Sequence, residues 1–185
     1  IEDYCVLKNS WDLCLPKVSE GMFFLMRKIN DTTCVYPQWE DKNNINGGCW
    51  SFKIPKDNCR QIWFTLMKYI LGECLVNEEI DYSIINGISI SPKKNFSIIK
   101  IWLKYNTTID IQTLLTDNIE FLNCKESMYS KHISNIKKDK IKTHKKTHTN
   151  YKKNNYNKHK YKDSFFKKKE KYSDFNTHKN TDIRR

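Results

Sequence analysis

Apolar and polar positions along the chain recur with two periods, one helical and one extended. Tyr4, Leu7, Trp11, Cys14 and Leu15 follow each other at helical spacing and stop at Pro16, which predicts an amphipathic helix from Ile1 onward. Gly21 opens the apolar run 22–26, short enough for a strand. Residues 29–48 are polar and end in Gly47-Gly48, a long loop of the kind that carries function or moves. Residues 49–54 alternate as a strand up to Pro55. Asp57 or Asn58 then caps a helix whose apolar set is Cys59, Ile62, Trp63, Leu66, Met67, Ile70 and Leu71, with Gly72 near its end. Strands at 83–91 and 96–105 flank the turn Pro92-Lys93-Lys94-Asn95. A short helix at 109–115 and a strand at 119–124 complete an α+β pattern, with helices on one side of an antiparallel sheet.

Alternation also sorts the faces of the strand 96–105. Ile99, Ile101, Leu103 and Tyr105 share the face expected to pack on the helices. Phe96, Ile98, Lys100, Trp102 and Lys104 share the other, where an indole stands between two lysines, a surface suited to an anionic ligand that carries a flat base. Trp50 and Trp63 have inward phases and are expected to be structural.

Charge divides the chain more sharply than hydropathy does. Residues 1–130 carry 14 Lys+Arg and 16 Asp+Glu, whereas 131–185 carry 19 and 5, so the net charge of +12 is the sum of −2 in the first part and +14 in the last third. With only Ile133, Ile136, Ile141 and Ile183 as aliphatics, 131–185 is expected to be a disordered basic tail behind a folded domain at 1–130. Aromatic residues interleave with its lysines, a composition that suits single-stranded RNA, although drift in a solvated extension produces the same pattern.

The seven cysteines are odd in number and include no C-x-x-C pair, so neither a disulfide framework nor a zinc ribbon is indicated. All five histidines follow residue 130, which leaves a Cys-His or Ser-His pair in the folded part hard to assemble. His144 and His148 have helical metal spacing but no carboxylate or thiol beside them. The expectation is a chain that is not an enzyme and holds neither metal nor cofactor. No run approaches the roughly 18 apolar residues of a membrane span. A soluble, monomeric protein is expected, cytoplasmic with the nucleus as a second compartment.

The segment from Pro37 through Trp39-Glu40-Asp41, Asn44 and Gly47-Gly48-Cys49-Trp50 resembles the P-x-W-E-D-x-x-N…G-G-x-W stretch of the translation initiation factor 4E family, which binds the 7-methylguanosine cap of mRNA. Three further blocks are similar in the same order: Ile1–Tyr4, Ile62–Glu73 and Gly87–Trp102. The resemblance covers about residues 1–125. It implies a curved antiparallel sheet with helices on its convex face and a role in translation initiation. It also implies a site in which Trp39 stacks on the base, Glu40 accepts the guanine N1–H and N2–H, and Trp102 contacts the methylated side. An electron-rich indole attracts the cationic base, and a carboxylate facing two donors selects guanine. Lys93 matches a phosphate-contacting position, with Lys94 and Lys100 as further candidates. Partners implied are capped mRNA and a 4G-like scaffold or 4E-binding repressor on the helical face, at Ile1, Cys5, Phe64, Thr65 and Lys68.

Several positions depart from the family pattern. The family's first stacking tryptophan lies upstream of its first helix, so an extension before Ile1 carrying that residue is expected. Cys49 and Ile98 stand where the family has phosphate-reaching Arg and Lys. Cys5 replaces a partner-binding tryptophan, and Thr65 replaces an acidic neighbour. These departures are what an alternative reading uses: a degenerate paralogue serving as a protein-interaction or repressor module without strong cap binding.

Overall fold

The computed structural model describes residues 2–116, 119, 120, 122–139 and 141. The chain divides into two units, Ile1–Lys137 and Lys138–Arg185, and nearly all described residues belong to the first. Its elements in chain order are α1 (Glu2–Cys14), β1 (Phe23–Met26), β2 (Gly48–Pro55), α2 (Cys59–Leu71), β3 (Ile85–Pro92), β4 (Phe96–Leu103), α3 (Ile111–Leu114) and β5 (Met128–Lys131), and residues 132–139 are helical.

The strands form one curved antiparallel sheet in the order β1-β3-β4-β2-β5. Its register puts Phe23, Leu25, Ile88, Ile90, Ile99, Ile101, Leu103, Trp50, Phe52 and Ile54 on one face. That face meets Ile62, Trp63, Leu66 and Met67 of α2 in a single core. Burying these side chains drives the assembly, each fully buried one being worth about 1.5–3 kcal/mol. Helix α1 lies over α2 through Trp11, which stands edge-on to Phe64 and Phe23 at 5.3 and 4.8 Å, and through the Tyr4 hydroxyl, which donates to the Phe64 carbonyl. Only Trp11 of α1 is fully buried, and Leu7, Cys14 and Leu15 remain exposed, so its inward stripe is narrower than the spacing implies.

Four expectations need correction. Asn58 occupies the cap position of α2 but its side chain makes no capping bond, because a single 3-10 turn, Lys56–Asn58, feeds the helix directly. The described residues of 119–124 form no strand: Ile119 and Leu122 are buried as loop anchors, and the fifth strand comes later, at Met128–Lys131. The domain boundary expected at 130 therefore falls inside β5. His132 and Ile136, four apart on one helical turn, are buried beyond it, and two inward residues are too few to register in a composition. Phe64, expected on the partner surface, is buried beneath α1. The expected basic tail from 142 onward lies outside the described residues.

Candidate functional site

The helix-free face of the sheet is built in transverse rows. One runs Phe24, Ser89, Lys100, Ser51, Met128, and the next runs Met26, Gly87, Trp102, Cys49, Ser130. Bulk is concentrated on the central strand β4 and the flanking strands offer small side chains. Gly87 has φ +150, in a register irregularity of β3, and an added Cβ would meet the Leu25 carbonyl oxygen at 2.3 Å, so only glycine fits there.

The loop carrying Trp39 and Glu40 is pinned over this face from below. Asn44, fully buried, donates through Nδ2 to the carbonyls of Tyr36 and Gln38 at 2.8 Å each. Its Oδ1 accepts from Asn86 Nδ2 of β3 at 2.9 Å, and the same amide also donates to the Asn43 carbonyl. Asp41 Oδ1 accepts from the Asn43 backbone and side chain, closing an Asx-turn just after Glu40. Gly47-Gly48 then lets the loop rejoin the sheet. A Cβ on Gly47 would sit 1.8 Å from the Leu103 carbonyl oxygen, and one on Gly48 would sit 2.3 Å from the Tyr129 hydroxyl. The glycine pair is required by close approach.

Trp39 is half-buried, and the Lys100 ammonium lies 5.4 Å from its ring centroid. Glu40 is exposed, and among the described residues its carboxylate has no hydrogen bond or ion pair. These are the predicted site residues that the fold brings together. Lys93 and Lys94 are exposed in the β3–β4 turn; from Phe96 to Lys100 alone is about 13 Å at strand rise. Lys100 is thus the candidate lysine beside the indole.

Trp102 is placed differently from expectation. It shares the Lys100 face, as the alternation requires, but it is only 4% exposed. Its Nε1–H donates to Ser89 Oγ at 2.9 Å, and the His132 imidazole covers it at a centroid distance of 5.1 Å. Trp102 forms the floor of the site instead of an open ligand face. Trp50 and Trp63 belong to the core, as their phases require.

His132 and Asn44 are the residues that sequence reasoning missed. His132 is fully buried, and its Nδ1 lies 2.7 Å from the Asn44 carbonyl, an acceptor, so Nδ1 carries the proton and donates. Nε2 is buried without a partner among the described residues. Burial pushes the imidazole pKa below its ordinary value, the Asn44 bond opposes that, and the Lys100 charge adds to it. Nothing in a lysine-rich segment singles out this histidine. Asn44 had a signal, as the final residue of the P-x-W-E-D-x-x-N stretch. On the opposite face, Cys5 and Lys68 are exposed and Thr65 is half-exposed beside a groove of about 210 Å³ between α1 and α2. Ile1 lies outside the described residues.

Comparison with known proteins finds relatives of the chain. An initiation factor 4E homolog of Acanthamoeba polyphaga mimivirus is 38% identical over 69 residues, which is 37% of this chain and 24% of that protein. Initiation factor 4E of Eremothecium gossypii is 32% identical over 110 residues, 56% of this chain and 46% of that protein. The chain thus spans a quarter to a half of these relatives' lengths. The crystal structure of Ascaris suum eIF4E-3 with m2,2,7G cap superposes with a TM-score of 0.47 at 22% identity, covering 60% of each chain. The profile of the eukaryotic initiation factor 4E family matches residues 32–169, well over half of the sequence and including the Trp39 loop, and the chain belongs to that family.

Proposed function

We propose that the chain binds the 7-methylguanosine cap of mRNA and acts in translation initiation, by reversible recognition and not by catalysis. The observation that carries this reading is the pairing of a half-buried indole, Trp39, with an adjacent exposed carboxylate, Glu40, that no described residue engages, on a loop locked by Asn44. A flat cationic base gains stacking and cation–π attraction on Trp39, and Glu40 accepts the two donors of a guanine edge. Lys100 is the nearest phosphate contact, and Lys93 and Lys94 reach a longer polyphosphate or the following nucleotides. A helical partner of the scaffold or repressor type would dock at the groove between α1 and α2. Cytoplasmic action, where capped mRNA is translated, follows from the same reading, with the nucleus as a second compartment.

Tryptophan quenching by 7-methylguanosine triphosphate, set against GTP, tests it. Binding of the methylated ligand in preference to GTP is expected. Glu40→Ala should weaken that binding by about 2–3 kcal/mol, the loss of a charged acceptor facing two donors. A Glu40→Ala constant within twofold of wild type would remove the carboxylate from the site.

A second reading, an interaction or repressor module with little cap affinity, is favoured by one specific observation: His132 covers Trp102, leaving a single indole at the surface of the described site. The same titration separates the two, since that reading expects no selective quenching.

A further inference from the structure

The Trp39 ring is engaged by the chain's own cation. Lys100 Nζ stands 5.4 Å from the indole centroid, and among the described residues Lys100 forms no ion pair with a carboxylate. Glu40, the nearest carboxylate in sequence to Trp39, does not hold it. The residues across from Lys100 on the neighbouring strands are Ser51 and Ser89, too short to grip a lysine stem. The second aromatic–lysine pair on this face, Lys53 over Phe96 at 4.8 Å, lies toward the hairpin end of β4 and leaves Trp39 to Lys100. His132 adds no attraction, since burial favours its neutral form.

We propose that Lys100 is a built-in occupant of the Trp39 face: its ammonium rests on the indole when no base is bound, and passes to the ligand's phosphates when a base takes its place. This rests on the cap-binding reading above and goes beyond it by giving the site a rule for which ligands it accepts. Two cations do not share one ring face, so any stacking base must displace the ammonium. A base that is itself cationic also meets its repulsion. A ligand without phosphates bears both costs unrelieved. A ligand with phosphates gives the displaced ammonium a partner better than the one it lost. The exchange of the Lys100 ammonium between indole and phosphate thereby couples stacking on Trp39 to phosphate binding.

The test uses the full 185-residue chain with two probes, 7-methylguanosine and its 5′-triphosphate, titrated by calorimetry against wild type, Lys100→Met and Lys100→Arg. Removing the charge while keeping the stem should tighten the nucleoside about threefold, the size of an exposed cation–π contact, and weaken the triphosphate by at least as much. Lys100→Arg should keep both constants within about twofold, because guanidinium also stacks on indole and pairs with phosphate. A merely structural role would move both ligands in the same direction. If Lys100→Met leaves the nucleoside unchanged or weakens it while wild type still binds the triphosphate, the occupant role is overturned and cap binding stands. If wild type binds neither ligand, both readings fall. A ligand-independent measurement closes the test: the Lys100 ε-methylene protons should show an upfield ring-current shift that Trp39→Leu abolishes, and no shift in wild type would overturn the proposal.

Discussion

Replacing Asn44 with alanine probes the support of the Trp39 loop without touching any group proposed to meet a ligand. The buried Asn44 amide makes three hydrogen bonds, two donated to the carbonyls of Tyr36 and Gln38 and one accepted from Asn86. Tyr36 and Gln38 are exposed residues whose carbonyls can regain some water, so each lost bond costs about 1 kcal/mol, near the lower end for a stranded acceptor. Asn86 keeps the Asn43 carbonyl and loses less. Asn44→Ala should therefore destabilise by about 2–3 kcal/mol. With a urea m-value of about 1–3 kcal/mol/M, the midpoint drops by about 1–2 M. Asn44→Asp is the sharper control. It keeps the acceptor for Asn86 but turns a carboxylate toward two carbonyls, and it should cost more than alanine. Urea melts followed by circular dichroism decide the matter. An alanine variant within about 0.5 kcal/mol of wild type would refute the pinning of the loop, as would an aspartate variant milder than the alanine one.

Trp102→Ala should lower stability by about 3–5 kcal/mol, the cost of emptying a buried aromatic position, and a loss below about 1 kcal/mol in the same melts would mean that the indole is not the floor described. His132 titrates below the ordinary imidazole value of 6.5 in the folded chain, so the unfolded state binds more protons between that folded value and 6.5. Stability should accordingly fall as pH drops below 6.5; His132→Gln should flatten that segment of the profile, and parallel wild-type and variant curves would contradict it. Glu73 follows α2 with φ 53, a left-handed conformation that glycine adopts freely, and its charge stands at the negative end of the helix. Glu73→Gly should raise stability by about 0.5–1 kcal/mol, read as a higher urea midpoint.

The periodic elements were legible because burial imposes them. The α2 set and the two faces of β4 appear in the structure as the alternation requires, since one sheet face must meet one helix stripe; the exceptions are at the ends, where Leu71 closes α2 exposed and Tyr105 lies exposed beyond β4. Trp39 and Glu40 were legible only as a motif; their placement depends on Asn44 and Asn86, a pair distant in sequence that no local period encodes. Trp102 was assigned the correct face, but a strand's phase cannot say whether that face is open. The answer lay in His132, thirty residues later, in a segment whose composition reads as solvated. β5 escaped for a related reason: it contributes only Tyr129 to the core, against Trp50, and one contact makes no pattern.

The distribution of bulk across the helix-free face bears on how the site can diversify. Ser89 is committed, because it is buried and accepts the Trp102 indole proton. Ser51 and Ser91 are half-exposed, make no side-chain hydrogen bond among the described residues, and flank Lys100 and Ile98 on the neighbouring strands. A larger or charged side chain at either would change what the face presents at a stability cost of about 0.5 kcal/mol or less. Descendants of this sequence can thus explore new ligand preferences by single substitutions on β2 and β3, while the central strand and its floor stay unchanged.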